Sequence, residues 1–321
     1  MKLINRLKSV IPVQQRLYLL KLFYQLSPFR FNYTLEPLNS LKSKINRYFS
    51  LFPSKRKAFI HEIEFINNCA DGTNPFSYVF PYSFVFDYDY NQIKVYKDEK
   101  KGLFYVLHKG KRLYYSKDYL TEASVKLNYN SMSIEQDEKS PHRYLNDHFT
   151  VEENDVVIDI GAAQGNFSLD VIERTGTLYI CETDVNWIEA LNATFEPWKE
   201  KVHIINKFVS NVDNDKCATL DGLMGDNPVN FIKMDVEGAE MLILERSEKV
   251  FNNNPSLKLA ICTYHGKKDA NAIERKLSEN KFNCSFSNGY VLFLNRILTP
   301  PYFRRGLIKA QKIRSDDFQG S

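Results

Sequence analysis

The fold of this 321-residue chain is decided by one stretch, Val156-Val157-Ile158-Asp159-Ile160-Gly161-Ala162-Ala163-Gln164-Gly165-Asn166-Phe167-Ser168. It begins with a short apolar run rich in β-branched residues, which is typical of a parallel strand covered on both faces. The small residues Gly161, Ala163 and Gly165 follow at alternate positions, so that backbone N–H groups of a tight turn can approach a ligand closely. A helix beginning at about Asn166 would point its N-terminal dipole at the same place.

The spacing of the small residues distinguishes this turn from that of a dinucleotide-binding fold. Such a fold has the pattern Gly-x-Gly-x-x-Gly, whereas here the third small residue comes one position early and Asn166 stands in its place. Asp159 adds a carboxylate beneath the loop, which would repel a pyrophosphate and hold a cationic ligand. We therefore expect a cationic ligand, with some other nucleotide-binding α/β turn as the alternative.

Composition and charge exclude several classes of protein. The net charge of +4, from 43 basic and 39 acidic residues, is too balanced to favour a nucleic-acid partner. The five cysteines are scattered and form no Cys-x-x-Cys pair, which favours free thiols in a reducing compartment over a zinc site. Because no apolar run approaches 18 residues and no signal peptide is evident, we expect a cytoplasmic protein without a membrane span.

The part of the chain before the motif strand is predicted to form helices and a small sheet. Residues 1–26 have the apolar spacing of a basic amphipathic helix, which can lie weakly on a membrane surface. Packing on its own domain, or on a partner subunit in a homodimer, is the favoured alternative. A second helical region runs from about Leu41 to Asn67, with a break near Pro53. Aromatic strand-like runs from Tyr78 onward predict a small antiparallel sheet over 75–117.

A polar segment over 135–144 separates a predicted helix at 118–136 from the motif strand. Such a segment can fold over the ligand loop. Gln136 is then a candidate to bind the carboxylate or amino group of an amino-acid moiety, and His142 and Arg143 could face a polar substrate. The alternative is a solvated connector that turns at Ser140-Pro141.

From residue 155 onward strands and helices alternate, which indicates a parallel sheet with crossover helices. The second strand ends in Glu182, whose carboxylate can accept both hydroxyl protons of an adenosyl ribose. Asp184 is the better candidate to cap the helix that follows. Phe208 comes after the third strand, where it can flank an adenine ring or belong to the core.

Acidic residues follow the strand at 229–234, where doubly wound folds bind their ligands. Asp235, Glu237 and Glu240 stand there within six residues, although Glu240 could lie on a helix surface. The strand at 257–262 is followed by His265 at the same edge. A group of this kind can supply a general base.

The end of the chain is predicted to close the sheet with a hairpin. Phe282, Cys284 and Phe286 alternate, Asn288-Gly289 is a strong two-residue turn, and Tyr290–Leu294 returns. The tail from Pro300 to Ser321 is basic, and we expect it to be partly disordered.

Taken together, these motifs resemble the FkbM family of class I S-adenosylmethionine-dependent methyltransferases. The residues that carry the resemblance are Val157–Ser168, Glu182, Thr219–Asp221 and Ile232–Glu240. It covers roughly residues 150–295, and its most specific part is Lys233–Glu240. It implies an α/β fold with a Rossmann-like seven-stranded sheet whose last strand is antiparallel. The division then expected is an extension at 1–149, a methyltransferase domain at 150–299 and a basic tail at 300–321.

The resemblance also implies a reaction and a set of site residues. S-adenosylmethionine would be the methyl donor, and a hydroxyl on a sugar, glycan or small-molecule acceptor would be methylated. Cofactor contacts would come from the turn, the strand ends and the polar segment: Gln136, Asp159, Gly161, Ala163, Gly165, Asn166, Glu182, Phe208 and Asp235. Asp235 assisted by His265 is the candidate base, and Glu237 is the alternative.

Other functions remain alternatives at this point. Asp235 and Glu237 could together hold a divalent metal, but no third ligand has clear spacing, so no metal is expected. A non-catalytic nucleoside-binding module of the same fold and, less favoured, a nicotinamide-dependent oxidoreductase are the competing hypotheses.

Overall fold

The computed structural model describes residues 37–70, 78–266, 268–292 and 299–313. In chain order the strands are β1 Val95–Asp98, β2 Leu103–His108, β3 Lys111–Tyr114, β4 Asp155–Ile160, β5 Thr175–Cys181, β6 Val202–Ile205, β7 Phe208–Val209, β8 Cys217–Ala218, β9 Phe231–Met234, β10 Lys258–Cys262, β11 Phe282–Phe286, β12 Val291–Leu292, β13 Phe303–Arg304 and β14 Leu307–Lys312. The helices are α1 Leu38–Leu51, α2 Pro53–Arg56, α3 Ile60–Asn68, α4 Glu122–Glu135, α5 Asn166–Val171, α6 Val185–Phe195, α7 Leu220–Met224, α8 Glu240–Leu244, α9 Glu248–Asn253 and α10 Asp269–Glu279.

Seven strands form one mixed sheet in the spatial order β11, β14, β10, β9, β4, β5, β6. The strands from β10 to β6 run parallel, and β14 is antiparallel to both of its neighbours. Successive residues of a strand point to opposite faces, so Val157 joins one buried core and Ile158 joins the other. The predicted α/β fold, with a seven-stranded sheet and an antiparallel last strand, is confirmed.

The predicted closing hairpin at the end of the sheet is wrong. β11 pairs with β14, and β12 leaves the sheet to pair with β13 instead. The hydroxyl of Tyr82 accepts a hydrogen bond from the backbone N–H of Tyr290 (2.7 Å), which ties the segment after Gly289 to the N-terminal part of the chain. Part of the predicted tail at 300–321 is ordered, because it forms β13 and β14, and β14 lies inside the sheet with Ile308 fully buried. The rest of that prediction, over residues 314–321, lies outside the described residues.

The N-terminal part of the described chain follows most of the predicted pattern. Helix α1 ends just before Pro53, as expected, and the sheet β1-β2-β3 is antiparallel. Lys109-Gly110 forms its hairpin turn, with φ of 50° and 82°. The aromatic run from Tyr78 is not a strand, because Phe84 and Val85 are both buried in a 3-10 turn and do not alternate between two faces.

The core of α1 and α3 is completed from the far end of the chain. Leu41, Ile45 and Ile63 pack with Leu292 of β12 and Phe303 of β13. The predicted domain boundaries at residues 149 and 299 stay a prediction.

In the described ranges no helix is both long and apolar enough to cross a bilayer. The cytoplasmic location and the homodimer stay predictions. The predicted helix at 1–26 lies outside the described residues.

Candidate active site

The loop between β4 and α5 is held tightly against the end of β9. Gly161, Ala163 and Gly165 all have positive φ, at 78°, 48° and 80°. A Cβ atom at Gly161 would overlap the backbone carbonyl oxygen of Asp235. The glycine at this position is therefore required by both its conformation and its contact, and it places the loop directly beside Asp235.

Asp159 lies beneath this loop in a buried ion pair. Its Oδ1 atom is 3.0 Å from Lys233 Nζ, and its Oδ2 atom accepts a hydrogen bond from Ser168 Oγ (2.8 Å). Lys233 also donates to the carbonyl oxygen of Gly161 (2.6 Å). Burial lowers the pKa of Lys233, but Asp159 and Asp235 outweigh it and raise that pKa above its usual value. The charge of Asp159 is thus compensated within the protein, and its predicted contact with the cofactor stays a prediction.

Glu182 at the end of β5 joins this strand to the loop. Its Oε2 atom accepts the N–H of Ala163 (2.8 Å), and its Oε1 atom accepts the N–H groups of Thr183 (2.6 Å) and Asp184 (2.9 Å). Burial raises the pKa of Glu182, although these N–H bonds oppose the shift. A carboxylate has about four acceptor positions, so one remains on Oε2 beside the loop. The predicted contact of Glu182 with an adenosyl ribose stays a prediction.

Two further predicted cofactor residues lie near this strand end. Asn166 is the first residue of α5 and is buried. Phe208 is half-buried in β7, two residues after Asn206, whose Nδ2 donates to the backbone oxygen of Glu182 (3.1 Å). Their contact with a cofactor stays a prediction.

The polar segment at 135–144 is folded back on itself by Gln136. The side-chain oxygen of Gln136 accepts the N–H of Tyr144 (3.2 Å), and its Nε2 donates to the carbonyl oxygen of His142 (3.3 Å). Arg143 donates from Nε to the carbonyl oxygen of Leu145 (2.7 Å). Gln136 therefore positions His142 and Tyr144, and its own contact with a cofactor stays a prediction.

Asp235 is the centre of a polar cluster beside the loop. Its Oδ2 atom accepts a hydrogen bond from Tyr144 Oη (3.0 Å), and its Oδ1 atom lies 3.4 Å from His265 Nε2. His142 Nε2 is 3.8 Å from Oδ2 and 3.1 Å from Tyr264 Oη. The side chain of Asp235 is 22% exposed, whereas those of His142 and His265 are 3% and 4% exposed. A bound molecule can therefore reach Asp235 most easily.

Glu240 contacts the other ring nitrogen of His265, the one that does not face Asp235. Glu240 Oε1 is 2.8 Å from His265 Nδ1, and Glu240 is almost completely buried at the start of α8. The alternative that placed Glu240 on a helix surface is wrong. Glu237 is exposed, with φ of 55°, in the turn between β9 and α8.

The charges in this cluster are strongly coupled. Burial raises the pKa of Asp235, but His265, Lys233 and His142 together outweigh it and lower this pKa to about 2. Burial lowers the pKa of His265, but the bond to Glu240 and the charge of Asp235 raise it to about 9. Burial dominates at His142 and lowers its pKa to about 4. At neutral pH, Asp235 is an anion, His265 a cation and His142 neutral.

Glu135 at the end of α4 belongs to the same electrostatic network. Burial and the charge of Asp235 raise the pKa of Glu135 to about 8, against the opposing effect of Lys233. This carboxyl group is therefore largely protonated at neutral pH.

Two sets of side chains in this cluster have potential ligand atoms within 4.8 Å of one another. One is His142, Asp235 and Cys262, and the other is Asp235, Glu240 and His265. In the second set, His265 Nδ1 already pairs with Glu240. The expectation of no metal stays a prediction.

The sequence did not single out Tyr144 and Tyr264, which both lie against Asp235. Their positions carried a signal, since Tyr144 ends the polar segment and Tyr264 directly precedes His265 at the end of β10. Only the fold brings these two segments to one carboxylate.

Comparison with protein families matches residues 122–284 to the family described as "Methyltransferase FkbM domain". No curated protein matches the chain.

Similar solved structures include three methyltransferases. A methyltransferase FkbM from Methylobacillus flagellatus KT is 16% identical, with a TM-score of 0.41, and the match covers 61% of this chain and 56% of that one. An rRNA methylase from Streptococcus thermophilus is 20% identical, with a TM-score of 0.36 and coverage of 51% and 90%. Magnesium protoporphyrin IX methyltransferase from Synechocystis PCC 6803, solved with bound SAM, is 13% identical, with a TM-score of 0.34 and coverage of 50% and 71%. The chain therefore matches little more than half the length of the Methylobacillus protein.

Proposed function

Because the chain belongs to the FkbM methyltransferase family, we propose that it transfers a methyl group to a hydroxyl of a sugar, a glycan or another small-molecule acceptor. Its methyl donor is S-adenosylmethionine. The observation that carries the proposal is the contact between the loop from β4 to α5 and the end of β9. Gly161 is packed directly on the backbone of Asp235, whose carboxylate is partly exposed.

The donor would be held by the loop and by Glu182. The carboxylate of Glu182 keeps one acceptor position beside Ala163, which suits a ribose hydroxyl. S-adenosylmethionine supplies a methyl group that its sulfonium already activates. The remaining task of the protein is to hold the acceptor oxygen in line with that group.

Asp235 would bind and orient the acceptor hydroxyl. It is ionised at neutral pH, and the Tyr144 hydroxyl fixes the position of one of its oxygens. An acceptor hydroxyl that donates to this carboxylate directs an oxygen lone pair away from Asp235 and toward the donor.

The low pKa of Asp235 determines when the proton moves. A carboxylate with a pKa of about 2 is a weak base toward a neutral alcohol. Once the new C–O bond forms, the oxygen carries a positive charge and becomes a far stronger acid than Asp235. The proton therefore passes to Asp235 late in the reaction. His265, with a pKa of about 9, is already protonated and stabilises the carboxylate in place of acting as the base.

The first experiment is calorimetric titration of the purified chain with S-adenosylhomocysteine. We expect saturable binding that weakens about tenfold to a hundredfold in Glu182→Ala, because the ribose loses its charged hydrogen-bond acceptor. A nicotinamide dinucleotide is titrated in parallel. Preference for the dinucleotide would favour the oxidoreductase hypothesis and overturn the proposal.

The second experiment measures transfer of a labelled methyl group to a panel of free sugars, oligosaccharides and small alcohols. For any acceptor that the unaltered chain methylates, the Asp235→Asn variant should have a turnover that is lower by about a hundredfold or more. Binding of S-adenosylhomocysteine should change by less than about fivefold, because the loop and Glu182 are intact. If the variant keeps normal turnover, Asp235 does not have this role. Cofactor binding without transfer to any acceptor class would favour the non-catalytic binding module.

A further inference from the structure

A group of exposed apolar side chains lies at the corner where α1 meets α3, far from the Asp235 cluster along the chain. Three large apolar side chains are exposed there: Leu51 is 67%, Phe52 44% and Ile60 41% exposed. All three lie within the ten residues 51–60, which we call the α1–α3 corner. The inner face of the same region is well packed, since Phe49 is fully buried and Phe59 stacks on Phe303. The exposed residues are thus fixed on a folded support.

The α1–α3 corner is also basic. Lys55 and Lys57 are exposed, and Arg56 between them is half-buried. Lys55 Nζ lies 5.0 Å from the centre of the Phe52 ring, so charged and apolar groups share one surface. From residue 37 to residue 61 the sequence has six Lys or Arg residues and no Asp or Glu.

Basic residues are also concentrated in the N-terminal part of the whole chain. The first 61 residues contain twelve basic residues and one acidic residue. The other 260 residues contain 31 basic and 38 acidic residues, so their net charge is negative. The net charge of +4 is therefore the sum of a strongly positive N-terminal part and a negative remainder. An asymmetry of this kind points to an anionic partner at the N-terminal end.

We propose that the α1–α3 corner docks on an anionic phospholipid surface. Leu51, Phe52 and Ile60 insert among the headgroups, and Lys55, Arg56 and Lys57 pair with their phosphates. Apolar side chains that protrude beside lysines and arginines are the features that interfacial membrane binding requires. A purely electrostatic partner such as a nucleic acid would need the charges but not the three apolar side chains.

Charge complementarity favours an anionic lipid surface, and not residues 1–36, as the partner of the α1–α3 corner. Residues 1–36 are themselves basic, with six Lys or Arg and one Glu. Their charge has the same sign as that of the α1–α3 corner, so electrostatics does not favour them as its cover. The same charges would add to the attraction of the full chain for an anionic membrane.

The test is co-sedimentation of the full chain with vesicles of phosphatidylcholine alone or mixed with phosphatidylglycerol. Three variants are compared with the unaltered chain. The charge variant is Lys55→Gln, Arg56→Gln and Lys57→Gln, and the apolar variant is Leu51→Ser, Phe52→Ser and Ile60→Ser. The matched control removes three exposed lysines elsewhere, by Lys94→Gln, Lys100→Gln and Lys199→Gln. Melting temperature and S-adenosylhomocysteine binding are measured for each, so that loss of folding or of the donor site is distinguished from loss of docking.

We expect binding to the anionic vesicles only, with reduced affinity at high salt. Each basic residue near such a surface contributes about a fivefold increase in affinity, so the charge variant should bind about a hundredfold more weakly. The apolar variant should lose a similar amount, whereas the control should stay close to the unaltered chain. Equal binding to both vesicle types, or equal loss in the control and the charge variant, would overturn the proposal. Binding to an RNA fragment that the apolar variant retains, with no binding to vesicles, would assign the corner to nucleic acid instead.

Discussion

Lys233 and Asp159 form an ion pair, with 3.0 Å between Nζ and Oδ1, that is almost completely withdrawn from solvent. The two residues face each other across the central strands β9 and β4. Because Lys233 also donates to the carbonyl oxygen of Gly161, the pair fixes the first residue of the loop between β4 and α5. The carboxylate beneath the loop thus has a structural partner, and the loop is held from below.

Replacing Lys233 by Met should destabilise the protein by about 3–5 kcal/mol, because Asp159 would keep a buried charge with no compensating cation. The free energy of unfolding in urea is the measurement. The double variant Asp159→Asn/Lys233→Met removes both charges and should recover a large part of the loss. If Lys233→Met alone is as stable as the unaltered chain, the pair does not have this structural role.

Gly161 gives a second prediction, with a matched control in the same chain. Gly161→Ala should lower stability by at least about 2 kcal/mol more than Gly102→Ala, because overpacking adds to the backbone strain. Both glycines have positive φ, at 78° and 67°. A Cβ atom at Gly161 would overlap the carbonyl oxygen of Asp235, whereas one at Gly102 would meet nothing within 4 Å. Urea unfolding of the two variants separates the contact from the backbone effect, and equal losses would contradict the tight packing of the loop.

The features that the sequence predicts well are local. The apolar run of β4, the small residues of the loop and the position of Glu182 at a strand end all depend on neighbouring residues. The parallel sheet then follows from the alternation of strands and helices, since carboxyl ends of parallel strands meet at one edge. These rules are sufficient to predict that Asp235 and His265 lie close together, as they do in the structure.

The features that the sequence does not predict depend on distant segments. The pattern around Asn288-Gly289 favours a local hairpin, but Phe282 pairs with Lys312, thirty residues away. Likewise, Tyr144 reaches Asp235 from 91 residues away. No periodicity in one segment specifies which distant segment it meets, so the last strand and the tyrosines around Asp235 could only be found in the fold.

The placement of β14 inside the sheet can be tested directly. Ile308 is fully buried in this strand, so Ile308→Ala should cost about 2–4 kcal/mol through the cavity that it leaves. Gln311 is exposed in the same strand, and Gln311→Ala should change stability by less than about 0.5 kcal/mol. Thermal and urea unfolding of both variants give the comparison. A negligible effect of Ile308→Ala would mean that the end of the chain does not belong to the core.

The pair of His265 and Glu240 should make stability depend on pH in the alkaline range. The folded protein raises the pKa of His265 from 6.5 to about 9. A raised pKa means that the folded state holds the proton more tightly than the unfolded state does. The resulting stabilisation is therefore complete below pH 6.5 and is lost as the pH rises through about 9. Its full size is on the order of 3 kcal/mol.

The measurement is the free energy of unfolding across this pH range for the unaltered chain and for Glu240→Gln. Glutamine keeps an oxygen acceptor for His265 Nδ1 but removes the charge, so the pKa of His265 should fall and the loss of stability between pH 6.5 and about 9 should become smaller. Glu237→Gln is the matched control, because it removes the same charge from an exposed position in the adjoining turn. It should leave most of the pH dependence in place. An identical pH dependence in the unaltered chain and Glu240→Gln would show that Glu240 does not hold the proton on His265.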